Sequence, residues 1–544
     1  MGYHESWYHN QIMYCLDVET FADSNGDGIG DFRGLTSRLD YLTGLGITSL
    51  WLLPFFPTPN RDDGYDVTDF TTIDPRLGTL PDFVAFVIEA RDRGIKVIME
   101  LVPNHTSIDH PWFRAASTDT TSPYHHYYVW RDDDPGDTSD QVVFPGYQTG
   151  IWTYVPEIKK WYLHFFYDFQ ADLNFANPAV REEFRRIMGL WLQLGVSGFR
   201  IDAAPFLIDV TGLEQSSRME GRHDWLRELN DFAVSRIGNA ILVGEVNVAL
   251  SKLADYFGGG NELEALFNFP LSRDLFLGLA LERSDPVAFG LSQLPTIPDS
   301  GAWVNFLRKH DELNLSQLPA VEQEMIYRAF GPKPEMKLYD RGIRRRLAPM
   351  LGNVDRIRAA YSLLFSLPGS PVIFYGDEIG MGDNLSLDQR LSVRTPMQWT
   401  GGRSAGFSTA KEADLVRPLA NDPAFEHGTV NVAAQHSNSN SLLNWLAHLI
   451  RTRKECPEVG VRPGTVLKTG NEAVFGITYP TASGKLVLLT NLSGKKQQVT
   501  IRKQDFDFTQ LALLLCPTDD LRPTASGRLT LPGYGYFWAR SLSA

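Results

Sequence analysis

Eight short apolar runs rich in β-branched residues recur along the first three quarters of the chain, at residues 12–18, 47–53, 95–102, 198–203, 240–246, 265–269, 303–307 and 372–375. Continuous apolar runs of this length fit strands buried on both faces. The stretches between them carry helical periodicity. Over residues 179–194, for example, Val180, Phe184, Ile187, Trp191 and Leu194 share one face, and Asn177-Pro178 just before them is a helix start. Eight strand–helix units predict a closed parallel (β/α)8 TIM barrel in the α/β class. Two stretches break the rhythm. Residues 106–169, rich in Asp, Tyr, Trp and Pro, are too long for a bare connection and predict a subdomain inserted after the third strand. Residues 312–353 predict a helical lid insertion after the seventh strand. From residue 461 short alternating runs at 473–479, 485–492 and 498–501, separated by Gly and Asn turns, predict a C-terminal all-β sandwich. The expected division is therefore 1–105 for the first part of the catalytic barrel, 106–169 for the insertion, 170–460 for the rest of the barrel, and 461–544 for the β-sandwich domain.

Composition narrows the class. A chain of 544 residues predicts two or three domains. A formal net charge of −14 argues against nucleic acid and against anionic lipid as partners. No apolar stretch is long enough for a bilayer, and residues 1–15 lack a charged start followed by an apolar run. Cys15, Cys456 and Cys516 are scattered without metal-ligand spacing and read as buried reduced thiols of a cytoplasmic protein. The run Arg344-Arg345-Arg346 reads as a solvated or salt-bridged face of a helix-like stretch. Aromatics at 12% fit either a large core or a sugar-stacking cleft, and composition alone favours the core.

The chemistry sits at the ends of the apolar runs. Glu100 to His105, Gly198 to Asp202, Gly244 to Asn247 and Arg308 to Asp311 follow one another in order, and a barrel brings all its strand ends to one face. Any one of these acids, taken alone, is a structural ion pair. Together they fit glycoside cleavage by two carboxyl groups. Asp202 is the nucleophile candidate, because Arg200 two residues earlier on the strand faces the same way and keeps it ionised. Glu245 ends the apolar run Ile241-Leu242-Val243, where desolvation and a neighbouring carboxylate are expected to raise its pKa as a general acid requires. Asp62-Asp63-Gly64-Tyr65 and Arg394 follow the second and eighth strands. An acid and an arginine there fit a grip on the hydroxyls of a terminal sugar, with Tyr65 beneath it, or equally an ordinary turn and a surface arginine. The segment Asp23-Ser24-Asn25-Gly26-Asp27-Gly28-Ile29-Gly30-Asp31 offers oxygens at alternate positions, which suits Ca²⁺ or a metal-free loop held by its own side chains.

With these residues in place the chain resembles the α-amylase superfamily of retaining glycosidases and transglycosylases. Val102 to His105, Gly198 to Asp202, Glu245 and His310-Asp311 look like its four conserved regions, and Gln170 to Asn174 like a fifth. The resemblance implies Asp202 as nucleophile, Glu245 as acid/base and Asp311 as transition-state stabiliser. It implies His105, His310, Arg200, Asp62, Tyr65 and Arg394 as sugar holders, with an Asp62–Arg394 pair closing the subsite at a non-reducing end. It places structural Ca²⁺, with no organic cofactor, on Asp23, Asn25, Asp27, the Ile29 carbonyl and Asp31. Within the superfamily, Phe32 to Thr36, Arg61 to Asp66, Tyr256 to Gly260 and His310 to Leu313 are similar to the trehalose synthase branch, which implies a second Ca²⁺ on Asn104, Asp172, the Leu207 carbonyl and Asp209. The implied partners are small α-glucosides such as maltose, trehalose and short maltooligosaccharides, and self-association into a homo-oligomer stays open. Residues 208–217 and Val248 depart from that branch around the acceptor sugar. The expected activity is isomerisation of maltose to trehalose through a glucosyl-Asp intermediate. An α-glucosidase or transglucosylase with an open acceptor site is the alternative, and a non-catalytic sugar-binding protein the distant one.

Overall fold

All eight apolar runs become strands of one closed parallel barrel: Met13–Leu16, Ser49–Leu52, Lys96–Leu101, Gly198–Ile201, Ile241–Gly244, Ala265–Phe267, Ala302–Phe306 and Ser370–Phe374. Each strand neighbours the one before it in sequence, and the eighth closes on the first. The structure, a computed structural model, describes residues 6–208, 223–482, 484–506, 511–518, 521–524 and 526–541. Apart from Lys96, every residue of these strands is buried, which is why they read as unbroken apolar runs. Register sets the site: Glu100 on the third strand lies beside Arg200 on the fourth, and Arg200 beside Val243 on the fifth. The fourth strand can start this close to the fifth only because residue 198 is Gly. A Cβ there would lie 2.1 Å from the Ile241 carbonyl oxygen.

The helix over Pro178–Gln193 starts where expected, with the Asn177 side chain accepting from the Ala179 N–H at 2.9 Å. After the third strand the chain builds a three-stranded antiparallel sheet from Trp130–Arg131, Lys160–Leu163 and Trp152–Val155. It returns through His105–Ser107 paired with Gln170–Asp172. After the seventh strand the helix Ala320–Phe330 is joined by a small sheet of Leu313–Asn314, Gly342–Ile343 and Lys337–Leu338, so that stretch is not purely helical.

The C-terminal strands form a five-stranded antiparallel sheet with Gly484–Asn491 at its centre, and a two-stranded sheet of Gln497–Thr500 and Arg528–Leu531. Alternation gives this sheet two apolar faces. Leu486, Leu488 and Trp538 join the barrel core, while Val487, Leu489 and Phe537 form a second core.

Two expectations need correction. Arg344-Arg345-Arg346 is not helical, and of the two alternatives the salt-bridged one holds for Arg345 and Arg346, while Arg344 is half-buried. Arg345 pairs with Asp383 at 2.9 Å, and fully buried Arg346 pairs with Asp377 at 3.3 Å. Cys516 is half-buried, whereas Cys15 and Cys456 are buried as expected. Among the described residues no helix is long and apolar enough to cross a membrane.

Candidate active site

The C-terminal ends of the strands open into a cavity of about 560 Å³, a size that suits a small ligand. Phe144, Phe165, Phe166, Phe206 and Phe269 line one part of it, and Asn247, Asn314, Ser316 and Gln317 another. Asp202, Glu245 and Asp311 all face it. Asp202 and Glu245 follow their strands directly, whereas Asp311 stands in the loop after Phe306, and backbone bonds fix the first two: the Asp202 N–H donates to Leu101 O at 2.9 Å and the Glu245 N–H to Ile201 O at 3.1 Å. Ala203, next to Asp202, holds a left-handed φ of 47°, a strained conformation of the kind that collects at functional sites.

Arg200 organises the acids. Its guanidinium, 1% exposed, touches Glu100 and Asp202 through Nη1 and Glu245 through Nη2 at 2.5 Å. Trp51 Nε1 donates to the other oxygen of Glu100 at 2.7 Å and lies beneath the guanidinium at 5.4 Å. Tyr65 and His310 stack at 5.9 Å and share a 2.8 Å hydrogen bond. His105 Nε2 bonds the Tyr65 carbonyl at 3.1 Å. Burial lowers His105 to about 4, so it is a neutral hydrogen-bonding group at ordinary pH.

The Asp62–Arg394 pair implied by the resemblance is replaced by its neighbour. Arg394 donates to Asp63 at 2.5 Å and to Asp311 at 3.1 Å, while Asp62 lines the cavity and takes a 2.8 Å bond from Gln170. The reason is the turn: left-handed φ values at Asp63 (53°) and Gly64 (94°) send consecutive side chains apart. Asp63 also meets Arg417, which reaches Asp17 and Glu19 at the first strand's end.

The proton affinities run opposite to expectation. Burial pushes Glu245 up, but Arg200 and Lys309 outweigh it and bring its carboxyl to about 2. Burial pushes Asp202 up to about 7 against the pull of Arg200, with Glu245 adding to the rise. Of this pair Asp202 therefore binds a proton more readily than Glu245. Lys309, which sequence reading did not select, adds to Arg200 at Glu245 and not at Asp202, and Arg390, also not selected, acts on Asp311 and Glu312. Lys309 Nζ bridges Glu245, at 2.9 Å, and Asp311. Arg390 pairs with Asp311 at 3.3 Å and Glu312 at 2.9 Å. Lys309 stood inside the 308–311 cluster and was legible as a cation there, whereas nothing in the sequence marks Arg390 or Arg417.

Burial also raises Glu100 to about 8 and Asp62 to about 7. With Asp202, these groups hold protons in the folded chain that the unfolded chain has released. For these groups the sign is fixed: their contribution to stability falls as pH rises from about 4 to 8, by up to about 1.4 kcal/mol per pH unit for each group, while buried His105 and His110, lowered to about 4, act in the opposite sense at the acid end of that range. Relative to the wild type, the thermal midpoint of Glu100→Gln is therefore expected to gain as pH rises from 5 to 8. Parallel midpoint profiles for the two proteins would contradict this.

The two sets of expected metal ligands differ in state. Asp23 accepts from the N–H groups of Asn25, Gly26 and Gly28, Asn25 and Asp27 bond each other, and Asp31 accepts from Ser24 and Gly34. Those carboxylates do not gather. Among the described residues the three acids whose ligand atoms lie within 4.8 Å of one another are Asp17, Glu19 and Asp63, and three arginines already serve that group: Arg417 meets all three, Arg76 pairs with Glu19 and Arg394 with Asp63. In the second set, Asp172 is buried, bonded by Asn104 Nδ2 at 3.0 Å and the Phe165 N–H at 3.3 Å. No cationic side chain pairs with it among the described residues. A buried carboxylate beside an amide, without counter-charge, is a donor set that fits a hard cation. Leu207 is buried in the helix Ala204–Ile208, and Asp209 lies outside the described residues, as does most of the divergent stretch 208–217.

A closed eight-stranded barrel with acids at the ends of its fourth, fifth and seventh strands is the architecture of a glycoside-active enzyme, and the chain belongs to the α-amylase family. The model of the α-amylase catalytic domain matches residues 17–285 and 344–460. Along nearly its whole length the chain is similar to trehalose synthases. It is 39% identical over 546 residues to the trehalose synthase/amylase TreS of Mycobacterium tuberculosis, covering 98% of this chain and 90% of that protein. It is 38% identical over 558 residues to the trehalose synthase of Pimelobacter sp., covering 99% and 96%. Among solved structures the α-amylase from H.orenii superposes with a TM-score of 0.80 at 28% identity, covering 98% and 99%.

Proposed function

We propose that this chain transfers a glucosyl unit of an α-1,4-linked glucoside such as maltose through a covalent intermediate on Asp202, and returns it to the released glucose to give trehalose. The observation that carries the reading is one guanidinium, Arg200, gripping both Asp202 and Glu245 at the base of an aromatic-walled cavity. Full-length similarity to trehalose synthases supports it. Asp202 attacks C1 of the glucosyl unit as the C1–O bond breaks, and Glu245 gives its proton to the departing oxygen. Asp311, flanked by Lys309, Arg390 and Arg394, stabilises the positive charge that develops on the ring. The freed glucose turns within the cavity. Its anomeric hydroxyl loses its proton to Glu245 and attacks C1, which releases Asp202. The productive form has a proton on Glu245 and an ionised Asp202, so sugar in the cavity must reverse the order in which the two carboxyls bind protons.

Product analysis after incubation with maltose tests the reading. Trehalose as the main product supports it. Glucose alone means that water reaches the intermediate and the enzyme is a hydrolase.

Calcium belongs to the same reading. Asn104, Asp172 and the Leu207 carbonyl would hold one ion, which would neutralise buried Asp172 and brace the inserted subdomain against the barrel. The 23–31 loop would hold another only if Asp23, Asp27 and Asp31 turned from their backbone partners. Chelation is expected to lower the thermal midpoint by several degrees, with recovery on added Ca²⁺ and no such response in Asp172→Asn. A midpoint indifferent to chelator would count against the ion.

A further inference from the structure

Lys309 is an unusual neighbour for an acid/base. It is 3% exposed, and its ammonium lies between two carboxylates, 2.9 Å from Glu245 Oε1 and in contact with Asp311 Oδ2. The Phe269 ring lies 5.4 Å from the charge and helps exclude water. Glu245 is thus held at both oxygens: Arg200 takes Oε2 from the fourth strand and Lys309 takes Oε1 from the end of the seventh. Three acids face it in turn, Glu100 from the third strand, Asp202 from the end of the fourth and Asp311 beside Lys309. Arg200 divides its charge among Glu100, Asp202 and Glu245, whereas Lys309 serves only Glu245 and Asp311 among its ion pairs.

We propose that Lys309 is a positioning residue for the acid/base step: it ties Glu245 to Asp311 and governs how readily Glu245 takes up the proton it must donate. The proposal rests on Glu245 being the acid/base. Replacing the ammonium by an apolar chain of similar length leaves Glu245 and Asp311 facing each other without a cation between them. Both then bind protons more readily. Lys309→Arg keeps a cation in place.

The test is kcat/KM against pH with maltose for the wild type, Lys309→Met and Lys309→Arg, with 4-nitrophenyl α-D-glucoside as a second substrate whose acidic leaving group needs little proton donation. In Lys309→Met the limbs of the maltose profile are expected to move to higher pH by about one unit or more, with a smaller displacement on the nitrophenyl substrate. Lys309→Arg is expected to keep the wild-type limbs. Unchanged limbs in a folded Lys309→Met, or an equal displacement in Lys309→Arg, would overturn the proposal. Lys309→Gln, judged by the same limbs, takes the place of Lys309→Met if the latter does not fold. Asp202→Asn separates the two levels. If it loses turnover while Lys309→Met keeps the wild-type profile, only the role of Lys309 fails. If Asp202→Asn retains turnover, the reading of the whole site fails.

Discussion

Asp202→Asn is expected to lose at least about 10⁴-fold in kcat on maltose while the protein stays folded. That corresponds to about 5.5 kcal/mol of transition-state stabilisation. An amide at this position cannot form or release the glucosyl ester, and no other carboxylate is placed to substitute. Glu245 is committed to Arg200 and Lys309, and Asp311 to Lys309, Arg390 and Arg394. The fold should hardly notice. After Glu100, Asp202 is the acid of the Arg200 cluster whose ionised form is least favoured, so a neutral amide can keep accepting from the guanidinium through its oxygen at little cost. Far-UV circular dichroism and the thermal midpoint establish the fold, and trehalose and glucose release establish the activity. A variant retaining a tenth of wild-type turnover would remove Asp202 from the chemistry.

Arg200→Met is expected to have the largest effect on stability. It removes the cation shared by Glu100, Asp202 and Glu245, and Glu100, with no exposed surface, is left with Trp51 alone. Breaking a buried pair by removing one partner destabilises by roughly 3–5 kcal/mol. Here the loss is expected as a strongly lowered thermal midpoint together with near-complete loss of turnover. The double variant Glu100→Gln with Arg200→Met is expected to regain part of the midpoint, because it also removes the stranded carboxylate, but none of the activity. Equal midpoints for the wild type and Arg200→Met would show that the cluster is stabilised some other way.

The barrel was legible because its strands are buried on both faces. Runs such as Ile241-Leu242-Val243 therefore carry no polar position to confuse them with a surface strand. The convergence of Asp202, Glu245 and Asp311 followed from that topology alone. What stayed hidden depends on register, turn geometry and reach across the barrel. Two adjacent acids, Asp62 and Asp63, look equivalent in the sequence. Only the left-handed backbone at Asp63 and Gly64 decides that Asp63 meets Arg394 while Asp62 faces the cavity. The order of proton affinities is hidden in the sequence for a related reason. Arg200 and Asp202 are near in sequence, so their pairing was visible, but Lys309 reaches Glu245 across the mouth from another strand end. Arg344, Arg345 and Arg346 read as a solvated or salt-bridged face, and the sequence does not decide between the two. Asp377 and Asp383, far along the chain, turn two of them into buried pairs.

The central claim, a glucosyl ester on Asp202, is tested most directly by trapping. In Glu245→Gln, α-D-glucosyl fluoride can glucosylate the nucleophile without an acid, because fluoride leaves unaided, while discharge of the ester lacks its base. Mass spectrometry of the digested protein is then predicted to find one anhydrohexose unit on the peptide containing Asp202 and on no other. An unmodified Asp202 peptide, or a hexose carried by a different carboxylate, would contradict the account.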